Sequence, residues 1–224
     1  MSSEESQCAR CGIKPADRIC QNEKGRAPVG CPTRNAEETI QKAMVEMGRP
    51  GVIEFVRNAA IQEGEGYTDR EGDCERVRPA KPRIVETIEF ARRMQYRKLG
   101  LVFCIGLHKE ARVVDMLLSD AGFEVVSACC KMGRNDKELL GIRPDQKICI
   151  GQPEPVCNPI AQAYVLNEAA TEFNVMLGLC VGHDSLFLKY AEAPCTVLAA
   201  KDRLLGHNPL AAIYNIDSYY RALK

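Results

Sequence analysis

The stretch that decides the fold runs from Leu99 to Cys130, LGLVFCIGLHKEARVVDMLLSDAGFEVVSACC. It opens with LGLVFCIG, a short apolar run too brief for a helix, which reads as a buried strand. Lys109 to Ala121 follows as a helix that turns Val113, Val114, Leu117 and Leu118 inward, and FEVVSACC closes as a second strand. Strand, amphipathic helix and strand within about thirty residues make a βαβ unit, whose strands lie parallel.

The alternation continues downstream. A loop through Gly133, Gly141 and Pro144 holds a short apolar run, KICIG, and a helix then opens on Asn158 as N-cap with Pro159 at the first helical position. NVMLGLCVG is a third strand and TVLAAK a fourth, with a short helix from Asp184 to Tyr190 between them. Asn208 and Pro209 repeat the Asn-Pro opening before LAAIY. The pattern predicts an α/β fold: a parallel sheet of about four to five strands over 99–224, with helices on both faces.

Upstream of the sheet the reading is helical. Asn35 as N-cap with Glu38 three residues on opens a helix whose stripe is Ile40, Ala43, Met44 and Met47. Val52, Ile53, Val56 and Ala60 mark a second helix, 62–82 a long polar loop, and Ile84, Ile88, Ala91 and Met94 a third helix ending near Leu99. The predicted organisation is therefore a Cys-rich segment over 1–34 and an α/β domain over 35–224, helical over 35–98.

Composition narrows the function. The 224 residues are 46% hydrophobic and 27% charged, enough to bury a core, with thirty basic residues balanced by thirty acidic ones. No basic run offers a footprint for nucleic acid or anionic lipid, no apolar stretch is long enough to span a membrane, and the start MSSEESQCARCG is unlike a signal peptide. These features predict a cytoplasmic protein with no nucleic-acid or membrane partner. Against that stand twelve cysteines, with no secretory signal and in a chain large enough not to need disulfide staples, so that they are expected to bind metal or to react.

The cysteines divide by position. Cys8, Cys11, Cys20 and Cys31 lie in a segment rich in Gly, Pro and charge, which has too few large apolar residues for a core of its own. The CxxC spacing of Cys8 and Cys11 lets two thiolates reach one ion, so the expectation is a four-thiolate metal site holding zinc or an iron–sulfur cluster. A second group falls where the strands end. Cys104 lies near the end of the first strand, Cys129 and Cys130 close the second, Cys180 lies near the end of the third, and Cys157 precedes a helix start on the same edge. An open parallel sheet delivers all strand ends to one crevice, where helix N-termini favour thiolate over thiol. Cys104, Cys130, Cys157 and Cys180 are thus expected to line a cofactor- or substrate-binding pocket, while Cys74, Cys129, Cys149 and Cys195 read as structural.

Polar residues gather at that edge too. Cys180, His183, Asp184, Lys201, Asp202, Arg203 and His207 are candidate catalytic residues: a thiol nucleophile, a histidine acid/base and cations suited to a small anionic substrate. Ordinary packing and local ion pairing are the competing account of each one alone. Neither GxGxxG nor a P-loop is present.

FCIGLHKEA, CNPIAQAYVLNEA, GLCVGHDSLF and KDRLLGHNPLAAIY, with the N-terminal CARC…C…CP, resemble the family of uncharacterised metal-binding proteins known as domain of unknown function 1847. The resemblance runs over nearly the whole chain. It implies metal binding, with neither metal nor reaction assigned, and marks the four N-terminal cysteines, Cys104, Cys130, Cys157, Cys180, His183, Asp184, Lys201, Asp202, Arg203, His207 and Asn208. Two functions follow as expectations: a metalloprotein with a thiolate-lined pocket acting on a small anion, or a metal- or redox-responsive binding module without turnover.

Overall fold

A computed structural model describes residues 5–224. The chain forms two compact units that divide between Ile61 and Gln62. In the first, two short 3-10 turns, Cys8–Arg10 and Pro15–Asp17, precede helices α1 (Pro32–Asn35) and α2 (Glu37–Met47), and α3 (Val52–Glu65) carries the chain across the division. Among the described residues of this unit Cys31 is the one buried apolar side chain, so the segment has almost no core.

Two expectations are corrected here. Asn35 does not cap α2; it ends α1 and its side-chain amide donates to the Val29 carbonyl at 2.5 Å, leaving Ala36 as an N-cap with no side-chain bond. The Ile40, Met44 and Met47 stripe, expected to pack, is exposed, because the described part of so small a unit supplies no second layer to cover it.

The second unit is the α/β part. After α3 come the two-residue strands β1 (Tyr67–Thr68) and β2 (Arg78–Pro79), paired antiparallel inside the segment expected to be loop. Helix α4 (Arg83–Arg93) ends six residues short of Leu99. Then follow β3 (Lys98–Phe103), α5 (His108–Asp120), β4 (Glu124–Cys129), α6 (Pro159–Glu168), β5 (Phe173–Leu177), α7 (His183–Tyr190), β6 (Cys195–Ala199) and α8 (Leu210–Tyr214). KICIG forms no strand, which leaves four.

Those four strands make one parallel sheet in the order β4-β3-β5-β6. The chain steps outward from β3 to β4 and returns to lay β5 on the other side of β3, so the direction of winding reverses between β3 and β5. A crevice opens at the carboxyl ends of strands where the order reverses in this way.

Alternation in β3 explains the layers. Leu99, Leu101 and Phe103 face one side with Ala111, Val114 and Leu118 of α5, and Phe90 of α4 reaches Phe173 there with ring centroids 5.5 Å apart. The face of α5 that packs is thus Ala111, Val114 and Leu118; Val113 and Leu117, expected inward, are exposed. Val102 and Cys104 face the other side, in one core cluster with Ala128, Cys130, Ala163, Leu166, Met176, Leu179 and Phe187. Leu166 and Phe187 are completely buried, and burying each such side chain contributes roughly 1.5–3 kcal/mol.

Candidate functional site

The carboxyl edge of the sheet is built by backbone bonds that leave little choice in where the thiols go. Cys104 N–H donates to Leu177 O at 3.3 Å and Cys130 N–H to Phe103 O at 3.0 Å, extending the ladders one residue beyond β3 and β4. Asn158 N–H donates to Cys130 O at 2.8 Å, while the Asn158 side chain caps α6 by accepting from Ala161 N–H at 2.9 Å, as its position before Pro159 predicted. That single backbone bond joins the start of α6 to the end of β4. It sets Cys157 Sγ 3.7 Å from Cys130 Sγ, although 27 residues separate them in sequence.

Cys104 completes a chain of three sulfurs by hydrogen-bonding to Cys130. Ile105 N–H also donates to Cys130 Sγ, at 3.3 Å. Cys180 lies just beyond β5, where Gly178 takes φ +63° and turns the chain, and the Arg203 guanidinium donates to Cys180 Sγ at 2.9 Å. Cys180 in turn feels the charges of Cys104 and Cys157. Basic residues stand around the group: Lys201 beside Cys104, Lys131 and His183 beside Cys157, and Arg203 on Cys180.

These contacts split the thiols' acidities. Cys104 is lowered to about 4, first by its bond with Cys130 and then, against the cost of burial, by Gly106 N–H and Lys201. Cys157 is lowered to about 6, again first through Cys130, with the charges of Lys131 and His183 adding to it. Cys130, between two thiolates and buried, is pushed up and keeps its proton. Burial, then the negative charge of Cys104, raises Cys180, against the pull of Arg203. Three linked sulfurs sharing protons titrate together, so the acidity belongs to the cluster.

Cys157 also faces outward. It lines a cleft of about 390 Å³ walled by Leu139, Leu140, Val156, Ile160 and Leu186. Cys157 is half-buried there, whereas Cys130 behind it is 2% exposed.

Other residues marked in the sequence take local roles. Asp202 accepts from Leu204 N–H at 3.0 Å and Leu205 N–H at 2.8 Å, and its own N–H donates to His207 Nδ1 at 3.1 Å, so both residues close a tight loop. That loop carries Arg203 to Cys180. His183 is the first residue of α7, and Asp184 Oδ1 accepts from the adjacent Ser185 N–H at 2.7 Å. Asn208 makes backbone turn bonds before α8, whose N-cap is Pro209. Cys74 and Cys149 are exposed, Cys195 is half-buried and bonded by the Asn174 amide, and Cys129 packs against the core cluster.

The four N-terminal thiols are dispersed in burial: Cys8 and Cys20 exposed, Cys11 half-buried, Cys31 buried. Among the described residues no three His, Cys, Asp or Glu side chains form a group that could hold a metal ion. Nor is any helix long and apolar enough to cross a membrane.

Sequence reasoning missed two residues of the edge. Lys131 follows Cys130 directly and donates to Pro155 O at 2.5 Å, which holds it beside Cys157; a cation next to a Cys pair was the available signal. Gln162 is fully buried on α6 and donates to both Phe103 O and Ala128 O, clamping the ends of β3 and β4. Its position four residues after a helix cap gave no hint of that.

A sequence profile of the family described as "Protein of unknown function (DUF1847)" matches residues 31–198. The chain belongs to this family. The DUF1847 match contains Cys31, Cys104, Cys130, Cys157 and Cys180, and ends before Lys201 and Arg203. The chain is also 48% identical over 140 residues to the uncharacterized protein MJ0455 of Methanocaldococcus jannaschii, covering 62% of this chain and 69% of that one. Neither likeness carries an activity, so the function rests on the site.

Proposed function

We propose that the chain is a thiol-dependent protein that binds and acts on a small anionic substrate at the carboxyl edge of its sheet. One observation carries this reading: four separate segments bring Cys104, Cys130, Cys157 and Cys180 into electrostatic contact, with Lys131, Lys201 and Arg203 beside them. Thiolates are strong nucleophiles, and the cations both stabilise them and attract an anion. In this reading Cys104 and Cys157 are the thiolates, Cys180 and Arg203 close one side, Lys201 holds the anion, and His183 is the acid/base near Cys157.

Site-resolved alkylation tests it. Iodoacetate, an anion, should modify Cys104 and Cys157 faster than neutral iodoacetamide does, relative to the exposed Cys74 and Cys149 as internal controls, and Lys201→Met should shrink the preference at Cys104. Equal relative rates at buried-edge and exposed cysteines would sink the anion pocket.

A second reading concerns the N-terminal unit, where Cys31 is the sole buried apolar side chain among the described residues. A segment with so little core gains its order from elsewhere, and a soft metal drawn to Cys8, Cys11, Cys20 and Cys31 is the source its donor set suits. Protein purified without oxygen should then carry zinc or iron, an iron–sulfur cluster showing visible absorbance. Unchanged metal content in the Cys8→Ser, Cys11→Ser double variant would refute it.

A further inference from the structure

The pocket reading leaves open which sulfur attacks and what it attacks. Two features of Cys157 bear on this and neither depends on its acidity. Its Sγ stands 3.7 Å from Cys130 Sγ in a direct thiol–thiol hydrogen bond, and its other side opens on the apolar cleft of Leu139, Leu140, Ile160 and Leu186. A disulfide bond is about 2.05 Å long, so closure needs a shift under about 2 Å by a half-buried side chain in the loop before α6. The Asn158-to-Cys130 backbone bond already holds the two chain segments in register for it.

We propose that Cys157 and Cys130 form a thiol–disulfide exchange pair, in which Cys157 attacks and Cys130 resolves, acting on an anionic disulfide whose apolar flank lies in the Leu139/Leu140/Ile160/Leu186 cleft. This rests on the pocket reading and names its substrate class. In the first step the Cys157 thiolate attacks one sulfur of the substrate. The substrate S–S bond breaks, its electron pair leaves on the departing thiolate, and a mixed disulfide forms on Cys157. In the second step the proton shared between Cys130 and Cys104 moves onto the Cys104 sulfur as Cys130 attacks the Cys157 sulfur. The mixed disulfide breaks, the second substrate thiolate leaves, and a Cys130–Cys157 disulfide remains, while Cys104 returns its proton to solvent beside Lys201. Two electrons pass from the dithiol to the substrate, which leaves as two thiolates.

The division of labour follows from access. Cys130, 2% exposed and behind Cys157, cannot meet a substrate first, yet it is placed to strike the sulfur in front of it. Cys104, also buried, touches Cys130 and serves as its base. The attacking, resolving and proton-accepting sulfurs, Cys157, Cys130 and Cys104, therefore run from the cleft inward.

The test uses the full chain with 5,5′-dithiobis(2-nitrobenzoate), an aromatic anionic disulfide, at limiting concentration, followed by peptide mass mapping under acid quench. Wild-type protein should yield a Cys130–Cys157 linked peptide lacking two hydrogens and no stable adduct at either residue. Cys130→Ser should stop at a thionitrobenzoate adduct on Cys157; Cys157→Ser should leave Cys130 unmodified. Cys104→Ser should give the same linked product with an accumulated Cys157 adduct preceding it. Cationic cystamine should form the linkage more slowly than the anionic probe. A stable adduct on Cys157 of the wild type with Cys130 free, or a first adduct on Cys130, overturns the exchange pair. The readings separate cleanly: iodoacetate preference at Cys104 with no Cys130–Cys157 linkage leaves the anion pocket standing and the exchange pair refuted.

Discussion

Replacing Lys201 by Met tests the electrostatics of the edge at one bond's remove from its chemistry. A Cβ built on Gly106 would lie 3.3 Å from Lys201 Nζ and 4.0 Å from Cys104 Sγ, so the ammonium and the thiolate are within about 7 Å of each other. At an effective dielectric constant of about 20, two unit charges at about 7 Å attract by about 2 kcal/mol. Salt at about 0.1 M, with a Debye length of about 10 Å, reduces this to about 1 kcal/mol for a solvated pair. Since about 1.4 kcal/mol corresponds to one pH unit, loss of the ammonium should raise the Cys104 midpoint by about 1 to 1.5 pH units. Starting from about 4, it should settle near 5 and stay well under the ordinary 9.0, because the bond with Cys130, the largest cause, survives. The assay is the pH dependence of iodoacetamide modification at Cys104, resolved by peptide mass, in wild type, Lys201→Met and Lys201→Arg. The arginine variant keeps the charge and should shift little. A midpoint that stays put or falls in Lys201→Met would refute the claim that this cation holds the thiolate.

Three further outcomes follow from the same geometry. Gly178 takes φ +63°, and a Cβ there would stand 2.1 Å from Leu107 Cδ1, so Gly178→Ala should cost about 2–4 kcal/mol from strain and overpacking, read as a lower urea midpoint. Folding stability should fall on acidification: Cys104 drops from 9.0 to about 4 in the folded chain, so its contribution is complete above pH 9 and is lost as the pH falls toward 4. Urea midpoints measured at about pH 8 and about pH 5 should draw closer in Cys104→Ser, Cys157, lowered to about 6, keeping part of the difference; an undiminished difference would remove Cys104 as a source. Arg203→Met should raise the already elevated Cys180 further, since only the guanidinium among its named neighbours pulls it down through both charge and hydrogen bond, and Cys180 should then react more slowly with neutral iodoacetamide near neutral pH.

Much of the fold was legible because the signals were local. Short apolar runs at Leu99 and Phe123, a helical period between them, and Asn158-Pro159 each act over a few residues, and β3, α5, β4 and α6 lie where those patterns put them. The errors fell where a pattern has two readings. Val113 and Leu117 lie on the edge of the stripe of α5, and only the angle at which α5 meets the sheet decides that Ala111, Val114 and Leu118 face in. Asn35 and Glu38 spell a cap, yet Asn35 is drawn back to Val29 by a turn that the spelling does not encode.

At the site the division is sharper. Parallel topology alone sends Cys104, Cys130, Cys157 and Cys180 to one edge, because every strand of such a sheet ends there, and the sequence was sufficient for that. Strand order was not written locally. It is the placement of β5 beside β3, with α6 tied to Cys130 O through Asn158 N–H, that selects which sulfurs touch, and so makes Cys130 the proton holder between two thiolates. Hydrogen bonds and charge interactions of this strength act only over a few ångströms. Residue types and spacing therefore determined which groups meet at the edge, and the three-dimensional packing decided which sulfurs touch, which of them lies outermost and which cations stand beside them.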